Sequence, residues 1–219
     1  MTRGALDPAV GTLPATLPIF PLPGALLLPR GRLPLNIFEP RYLSMTRDAL
    51  ASDRLIGMIQ PSGDPAGETP PLYRTGCAGR ITAFSETDDG RYLITLTGLC
   101  RFDLVREVPA VSGYRRVVPD FAPYAADLAT ASEISIDRDR LVNALRAYFI
   151  QRDIAVDWDA IAETPDEGLV TSLAMVCPFE PSEKQALLQS PDLTERGRVL
   201  TALIEMALLG DDAGDAARH

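Results

Sequence analysis

The stretch Leu33-Pro34-Leu35-Asn36-Ile37-Phe38-Glu39-Pro40-Arg41-Tyr42 contains the change of pattern that decides the fold of the first half of the chain. Its beginning, Leu33–Phe38, is a short apolar run, and a proline within such a run favours an edge strand or a barrel rim. Pro40 suits the first turn of a helix. Three residues then recur at helical spacing, namely Tyr42, Met45 and Ala49. The stretch therefore predicts a strand that leads directly into a helix.

Short apolar segments on both sides of this stretch predict further strands. They are Leu17–Leu22, Arg54–Gln60, Arg80–Phe84, Arg91–Thr97 and Leu99–Val105. Asp88-Asp89-Gly90 favours a hairpin between two of these segments, because an Asp-Gly pair accepts positive φ. Gly98 separates the last two segments and predicts a β-bulge. The first half of the chain is therefore expected to be β structure with one helix.

The composition changes near residue 125. Residues 1–125 hold 15 of the 19 prolines and 12 of the 16 glycines. Residues 126–219 hold the other four of each, and they carry 8 basic and 18 acidic residues. Proline is costly inside a helix, so the first part is interpreted as β and loop and the second as helical. Apolar residues at helical spacing support this, and the last helix is expected to end at Gly210. Capping signals are expected at Thr164, Ser182 and Asp192.

Two scarce residue types exclude most familiar hydrolase and ATPase chemistry. Lys184 is the only lysine, and no glycine precedes it as a Gly-Lys-Ser/Thr phosphate loop requires. His219 is the only histidine and stands last in the chain, where an ordered imidazole beside a nucleophile is not expected. Cys77, Cys100 and Cys177 form no CxxC motif and are interpreted as buried, reduced thiols. We therefore expect no catalytic residues, no metal and no cofactor.

Location and charge restrict the partners. No apolar run approaches the roughly 20 residues that span a bilayer, and no apolar segment follows the N-terminal basic residue as in a secretory signal. A cytoplasmic protein without membrane association is therefore expected. The net charge of −9 repels phosphate, which disfavours nucleic acid as a partner.

Several sequence blocks together resemble the N-terminal domain of the Lon protease family. The first block has that family's pattern of an LPLFPL-like strand followed by FEPRY, the second its DGRY and G-x-x-R-F elements, and the third its E-K-Q-x-L-L element. The blocks are residues 17–24 and 33–42; residues 76–81, 89–92 and 98–102; and residues 178–188. The order of the blocks makes the resemblance specific, and it extends over almost the whole chain.

The resemblance implies an α+β fold in which a PUA-like β pseudo-barrel precedes a C-terminal helical bundle. We expect a flexible leader over 1–16, the Lon-type β domain over 17–125, a helical bundle packed on it over 126–210, and a flexible tail over 211–219. In full-length Lon this module precedes an ATPase domain and a peptidase domain, neither of which is recognised in this sequence. The chain therefore looks like a stand-alone substrate-binding domain of a bacterial kind.

The expected function is the binding of unfolded or client polypeptides, with a separate protease as a further possible partner. An RNA-binding PUA-like module is the alternative, since fold alone does not decide function. Leu26, Leu27 and Leu28 are the candidate peptide-binding residues, because three adjacent leucines are not expected to share one core and at least one is then available to partners. Met58 is the candidate floor of that site. Packing at the barrel rim is the structural interpretation of the three leucines, and it is the favoured one.

Two other motifs receive structural interpretations. In the FEPRY block, Phe38 is expected in the core, with Glu39 and Arg41 connecting the strand to the helix, and a contact surface is the alternative interpretation of the block. Asp157-Trp158-Asp159 is interpreted as a solvated loop between helices, with Trp158 packed on the bundle, because calcium loops need more oxygen ligands and a glycine.

Overall fold

The structure of the protein is a computed structural model that describes residues 13–63, 70–129 and 135–216. The strands are β1 Leu17–Pro21, β2 Arg32–Ile37, β3 Leu55–Ile59, β4 Thr75–Glu86, β5 Tyr92–Val111 and β6 Tyr114–Asp120. The helices are α1 Pro40–Leu50, α2 Arg138–Gln151, α3 Trp158–Glu163, α4 Asp166–Val176, α5 Pro181–Gln189 and α6 Leu193–Ala216, and a 3₁₀ helix covers Ala122–Leu128. The chain divides into two compact units, residues 1–130 and 131–219. The predicted α+β fold is confirmed, and the division lies five residues beyond the predicted position.

The first unit is a closed, irregular barrel. Its strand order is β2-β5-β4-β3-β1-β6, and β5 also pairs with β6. The long strand β5 makes this closure possible, because its first part pairs with β2 and β4 and its last part, Asp103–Val111, pairs with β6. β1 and β3 are parallel, whereas the other pairs are antiparallel. The ring of β5, β4, β3, β1 and β6 leaves β2 outside it, paired with β5.

The local signals of the first unit are mostly confirmed. Gly90 has a φ of +79°, and its N–H donates to the carbonyl of Thr87 at 2.9 Å in the hairpin between β4 and β5. The bulge lies at the predicted place, since Ala78 pairs with Cys100 and Gly79 with Gly98, leaving Leu99 without a counterpart in the register. One hydrophobic cluster of the core consists of Leu17, Ile19, Leu55, Ile59, Ala78, Cys100, Phe102, Val117 and Phe121.

The second unit is a bundle of the helices α2 to α6. Its buried apolar side chains include Leu141, Tyr148, Val170, Leu187 and Ile204. α6 packs against α2, α4 and α5 and continues through Gly210 to Ala216, so the expected end at Gly210 is wrong. A glycine is tolerated inside a helix at a cost of about 1 kcal/mol, and it is not sufficient to end one. The tail predicted over 211–219 is therefore helical as far as residue 216.

The helix caps explain the boundaries in the bundle. Asp192 accepts from the N–H of Glu195 at 2.8 Å, as its capping pattern predicts. α5 begins earlier than expected, because the capping box pairs Glu180 with Glu183 rather than beginning at Ser182. The N-cap of α4 is Pro165, and the Thr164 hydroxyl bonds back to Ala160 instead.

The Asp157-Trp158-Asp159 segment begins a helix rather than forming a loop. Asp157 accepts from the N–H groups of Asp159 and Ala160 at 3.1 and 3.0 Å, which makes it the N-cap of α3. Trp158 packs on the bundle as predicted, with its ring centroid 6.2 Å from that of Phe149. Across the three described ranges, no helix is both long and apolar enough to cross a bilayer.

Candidate functional site

A groove of about 450 Å³ lies on the surface of the β unit, and we call it the aromatic groove. Four segments meet there, and Pro61 and Pro70 complete the lining. The segments are the end of β1 with the two residues that follow it (20–23), the middle of β2 (34–36), the start of α1 with its preceding loop (38–42) and the start of β6 (113–115). Proline and aromatic residues form much of this surface, so the groove is mainly apolar.

The floor and the rim of the aromatic groove are aromatic. Phe20 and Tyr42 are buried, and their ring centroids are 4.2 Å apart at an angle of 38°. Burial raises the pKa of Tyr42, so its hydroxyl stays neutral. Phe38 stands at the rim with 62% of its surface exposed. The groove therefore offers aromatic surface that a bound apolar side chain can cover.

The expectation that Phe38 belongs to the core is wrong. Side chains alternate between the two faces of a strand, and Ile37 at the end of β2 takes the buried position. The chain then enters α1, where Tyr42 and Met45 supply the buried side chains. Phe38 is thus left pointing outward at the junction. Phe38 therefore adds exposed aromatic surface to a groove that is already apolar.

The charged residues of the groove are neutralised by carboxylates. Arg41 Nε donates to Glu39 Oε2 at 2.9 Å, so these residues pair with each other at the start of α1. Arg115 Nε donates to Glu107 Oε2 at 2.9 Å. The hydroxyl of Tyr114 donates to Asp48 Oδ2 at 2.8 Å, and burial together with this bond raises the pKa of Tyr114 to about 12. The groove therefore presents paired charges rather than free ones.

A second surface depression, the hairpin trough, lies against the same strand β2. It has a volume of about 480 Å³. Its lining combines Pro34, Leu35 and Asn36 of β2 with 83–85 of β4 and 93–95 of β5. Phe84 and Leu93 are each 45% exposed there. The strand β2 is therefore flanked by two largely apolar depressions.

The leucines predicted to be exposed are buried. Leu26, Leu27 and Leu28 have 2%, 1% and 0% of their surface exposed, and Met58 has 2%. The expectation that at least one of these leucines is exposed at the surface is therefore wrong. All four side chains are part of the core.

Two glycines make room for these leucines. Residues 25–28 are not in a strand, so their side chains need not alternate between faces. A Cβ at Gly79 would lie 2.6 Å from Leu27 Cδ2, and one at Gly98 would lie 1.9 Å from the carbonyl oxygen of Leu28. The loop therefore fits closely onto β4 and β5.

The other polar clusters of the β unit serve the fold. Arg101 is bound to Asp127 through its Nε and Nη2 at 2.9 and 2.8 Å, and both side chains are buried. Asp103 accepts from Thr75 and Tyr124 at 3.0 and 2.9 Å. Both clusters connect the 3₁₀ helix to the barrel strands. Their donors come from β4, β5 and the 3₁₀ helix, so both clusters stabilise the packing of that helix on the barrel.

The three cysteines are free and buried, as predicted. Burial raises the pKa of Cys100 to about 12 and that of Cys177 to about 11. Thiols with such pKa values are poor nucleophiles at neutral pH. Burial also lowers the pKa of Lys184 in α5. The groove lining that the structure describes contains no serine, cysteine, lysine or histidine, and the described residues contain no group of three potential metal ligands.

Comparison with known proteins agrees with this architecture. The family model of the ATP-dependent protease La (LON) substrate-binding domain matches residues 16–206. The chain belongs to the Lon substrate-binding domain family. A Lon protease from Syntrophus aciditrophicus (strain SB) is 24% identical over 212 residues, covering 92% of this chain and 26% of the relative. One from Parabacteroides distasonis is 29% identical over 200 residues, covering 83% of this chain and 22% of the relative. The chain thus spans about a quarter of the curated relatives that it matches.

Two solved structures show the same fold. The crystal structure of a Lon N-terminal domain protein from Xanthomonas campestris has a TM-score of 0.57 and 24% identity, covering 85% of this chain and 97% of that chain. The N-terminal domain of a Mycobacterium avium complex Lon protease has a TM-score of 0.58 and 15% identity, covering 87% and 98%. The resemblance inferred from the sequence blocks is therefore confirmed for both family and fold.

The sequence did not single out the aromatic groove as a site. Phe20, Phe38 and Tyr42 all belong to blocks that carry the family resemblance, but only Phe38 was assigned to the core, whereas the structure buries Phe20 and Tyr42 and exposes Phe38. The available signal was the density of prolines in the same blocks. Proline favours strand edges and rims, so an aromatic residue beside such prolines is a candidate for a surface position.

Proposed function

We propose that the chain is a non-enzymatic module that binds exposed apolar segments of unfolded polypeptides in the aromatic groove. The observation that carries this proposal is Phe38, which is 62% exposed at the rim of a groove whose floor is already aromatic. Membership of a substrate-binding domain family supports polypeptide as the ligand. Handing such a client to a separate protease is the further role that we propose.

The electrostatics of the groove support an uncharged ligand over a nucleic acid. Phosphate recognition needs arginines whose guanidinium groups are available to the backbone. Arg41 and Arg115 instead lie against Glu39 and Glu107. The buried, free cysteines support action in a reducing compartment, and we propose the cytoplasm.

The test is the affinity of a fluorescent unfolded client for the chain with Phe38→Ser. Phe38 is already exposed, so the substitution should leave the melting temperature unchanged. The loss of a phenylalanine that becomes buried on binding should weaken affinity about tenfold. Val105→Ser is the matched control, because Val105 is 60% exposed on β5 outside the groove lining. Equal affinity of both variants and the parent chain would remove the groove from the proposal.

The same preparation tests the absence of catalysis. The parent chain should bind the unfolded client without hydrolysing ATP and without cleaving casein. Sustained turnover that co-purifies with the folded chain and survives removal of contaminating proteases would contradict a non-enzymatic role. Absence of binding to any unfolded client would contradict the binding role itself.

A further inference from the structure

The strand β2 is at the end of the sheet. It pairs through all six of its residues with β5, from Arg32 opposite Thr97 to Ile37 opposite Tyr92. Among the strands that the structure describes, none pairs with its other edge. An edge of this kind is a template for a further strand. Proteins that bind extended peptides commonly use such an edge, with main-chain hydrogen bonds for affinity and side-chain pockets for specificity.

The register shows which backbone groups of β2 point toward this edge. The N–H of Gly98 donates to the carbonyl of Gly31 at 2.8 Å, and in an antiparallel ladder the bonded residues alternate. Leu33, Leu35 and Ile37 therefore exchange bonds with β5. Residues 32, 34 and 36 direct their backbone groups outward.

Two independent details agree with this assignment. The hydroxyl of Thr82 on β4 donates to the carbonyl of Thr95, which therefore points away from its β2 counterpart, Pro34. Proline has no N–H to donate, and an outward position is where a strand tolerates it. The outward edge thus offers the carbonyls of residues 32, 34 and 36 and the N–H groups of Arg32 and Asn36.

Both depressions border the segment of β2 to which a further strand would be added. Pro34, Leu35 and Asn36 line both the aromatic groove and the hairpin trough. Successive side chains of a strand point to opposite faces. A segment added to β2 therefore places alternate side chains in the aromatic groove and the intervening ones in the hairpin trough.

Charge complementarity favours an uncharged segment on both faces. The described lining of the hairpin trough contains no charged residue. In the aromatic groove, the carboxylates of Glu39 and Glu107 already neutralise Arg41 and Arg115. A charged client side chain would lose hydration on either side without gaining an opposite charge, and this cost is large when the group is buried.

We infer that the client is bound as an additional strand on the outward edge of β2 and that the preferred client segment is an unbroken run of apolar residues. This inference rests on the proposed polypeptide-binding function and specifies its ligand. A segment in which apolar and polar residues alternate would fill only one of the two depressions. Unbroken apolar runs are typical of strands buried on both faces, which are hidden in folded proteins and exposed when those proteins unfold.

The test uses fluorescent peptides whose central segment matches the six residues of β2 in length. One peptide has an unbroken valine, leucine and phenylalanine segment, and a second replaces alternate residues by serine. Two further peptides carry the unbroken segment with backbone N-methyl groups at every second residue. One peptide is methylated at the odd positions of the segment and the other at the even positions. Both methylated peptides have the same composition and the same restriction of the free backbone, so each is the control for the other.

The unbroken peptide should bind about tenfold more tightly than the alternating one. Methylation of the N–H groups that face β2 should weaken binding at least tenfold, because each lost hydrogen bond accounts for roughly a three- to tenfold change. Methylation of the N–H groups that face away from β2 should leave the affinity like that of the unmethylated peptide. Leu93→Ser in the hairpin trough should weaken binding of the unbroken peptide. It should leave the affinity of the alternating peptide unchanged, because that peptide can bind with its serines in the trough.

The outcomes separate this inference from the function on which it rests. Equal binding of the two methylated peptides, together with weaker binding by Phe38→Ser, would overturn strand addition and leave the groove as the site. Equal binding of the unbroken and alternating peptides would overturn the preference for apolar runs. Failure of every peptide and every unfolded client to bind the parent chain would overturn the polypeptide-binding function itself.

Discussion

At the scale of single residues, Gly98 has a steric role that no other residue can take. A Cβ at this position would lie 1.9 Å from the carbonyl oxygen of Leu28, which is backbone and cannot rotate away. The carbonyl of Gly98 also accepts from the N–H of Arg30 at 2.8 Å. This close approach holds the leucine loop against β5 and explains why three adjacent leucines are all buried.

Gly98→Ala should therefore destabilise the β unit by about 3 kcal/mol, since the loop must move away from β5 and its leucines repack. Gly90→Ala is the control, because Gly90 has positive φ but nothing within 4 Å of its missing Cβ. Its cost should be about 1 kcal/mol, from backbone strain alone. Urea denaturation of the three proteins measures the difference. Equal stability of the two variants would contradict the steric argument.

Burial was the property that single residues predicted least well. Phe38 was expected inside and is outside, whereas Leu26, Leu27 and Leu28 were expected to include an exposed residue and are buried. Hydrophobicity indicates that burying a side chain is favourable in free energy. The register of β2 and the space left by glycines on other strands decide which side chains are buried. Those are long-range facts that a local pattern does not contain.

At the scale of elements, a buried ion pair attaches the 3₁₀ helix to β5. Asp127 accepts from the backbone N–H of Arg101 at 2.9 Å as well as from its guanidinium group. Burial lowers the pKa of Arg101, but the hydrogen bond and charge of Asp127 outweigh this effect and raise it overall. The guanidinium group also lies over the ring of Tyr124, 4.8 Å from its centroid.

Asp127→Asn should destabilise the β unit by about 3 kcal/mol, because it leaves the arginine cation buried without its counter-charge. Glu107→Gln is the matched control. It breaks the pair between Arg115 and Glu107, and the Glu107 side chain is 43% exposed, so the cost should stay below about 1 kcal/mol. The free energy of unfolding from denaturant titration measures both. A cost for Asp127→Asn no larger than for the control would show that the buried pair does not hold the 3₁₀ helix.

The elements with simple periodicity were predictable, and the closing strand was not. β1, β2, β3 and α1 follow apolar runs or helical spacing that the sequence displays directly. β6 was missed because Arg115 and Arg116 interrupt its apolar character, although Val117 is fully buried. Closure of the barrel depends on β5 pairing with different partners along its length, and pairing between distant segments leaves no local signal.

At the scale of the whole molecule, the chain combines a nearly neutral β unit with an acidic helical unit. The net charge is −9, and residues 126–219 carry 18 acidic against 8 basic residues. The sequence itself contains this asymmetry, and the structure divides the chain near the point where the composition changes. That the helical bundle packs on the β unit stays a prediction. The aromatic groove and the hairpin trough belong to the β unit alone, so binding should be apolar in origin while the net charge governs the approach of the client.

This separation predicts how client charge affects binding. Two clients should be compared that share one apolar segment and differ only in acidic or basic flanks. At ~0.01 M ionic strength the Debye length is ~30 Å, so the negative field reaches an approaching client and the basic-flanked client should associate about tenfold faster. At ~0.15 M it is ~8 Å, and the ratio should approach one. Dissociation rates should be equal throughout, because the apolar contacts that hold the segment are the same.

Stopped-flow fluorescence measures both rates. A flank effect that appears in dissociation and persists at high salt would show that charged residues are part of the binding site, contrary to the neutral grooves on either side of β2.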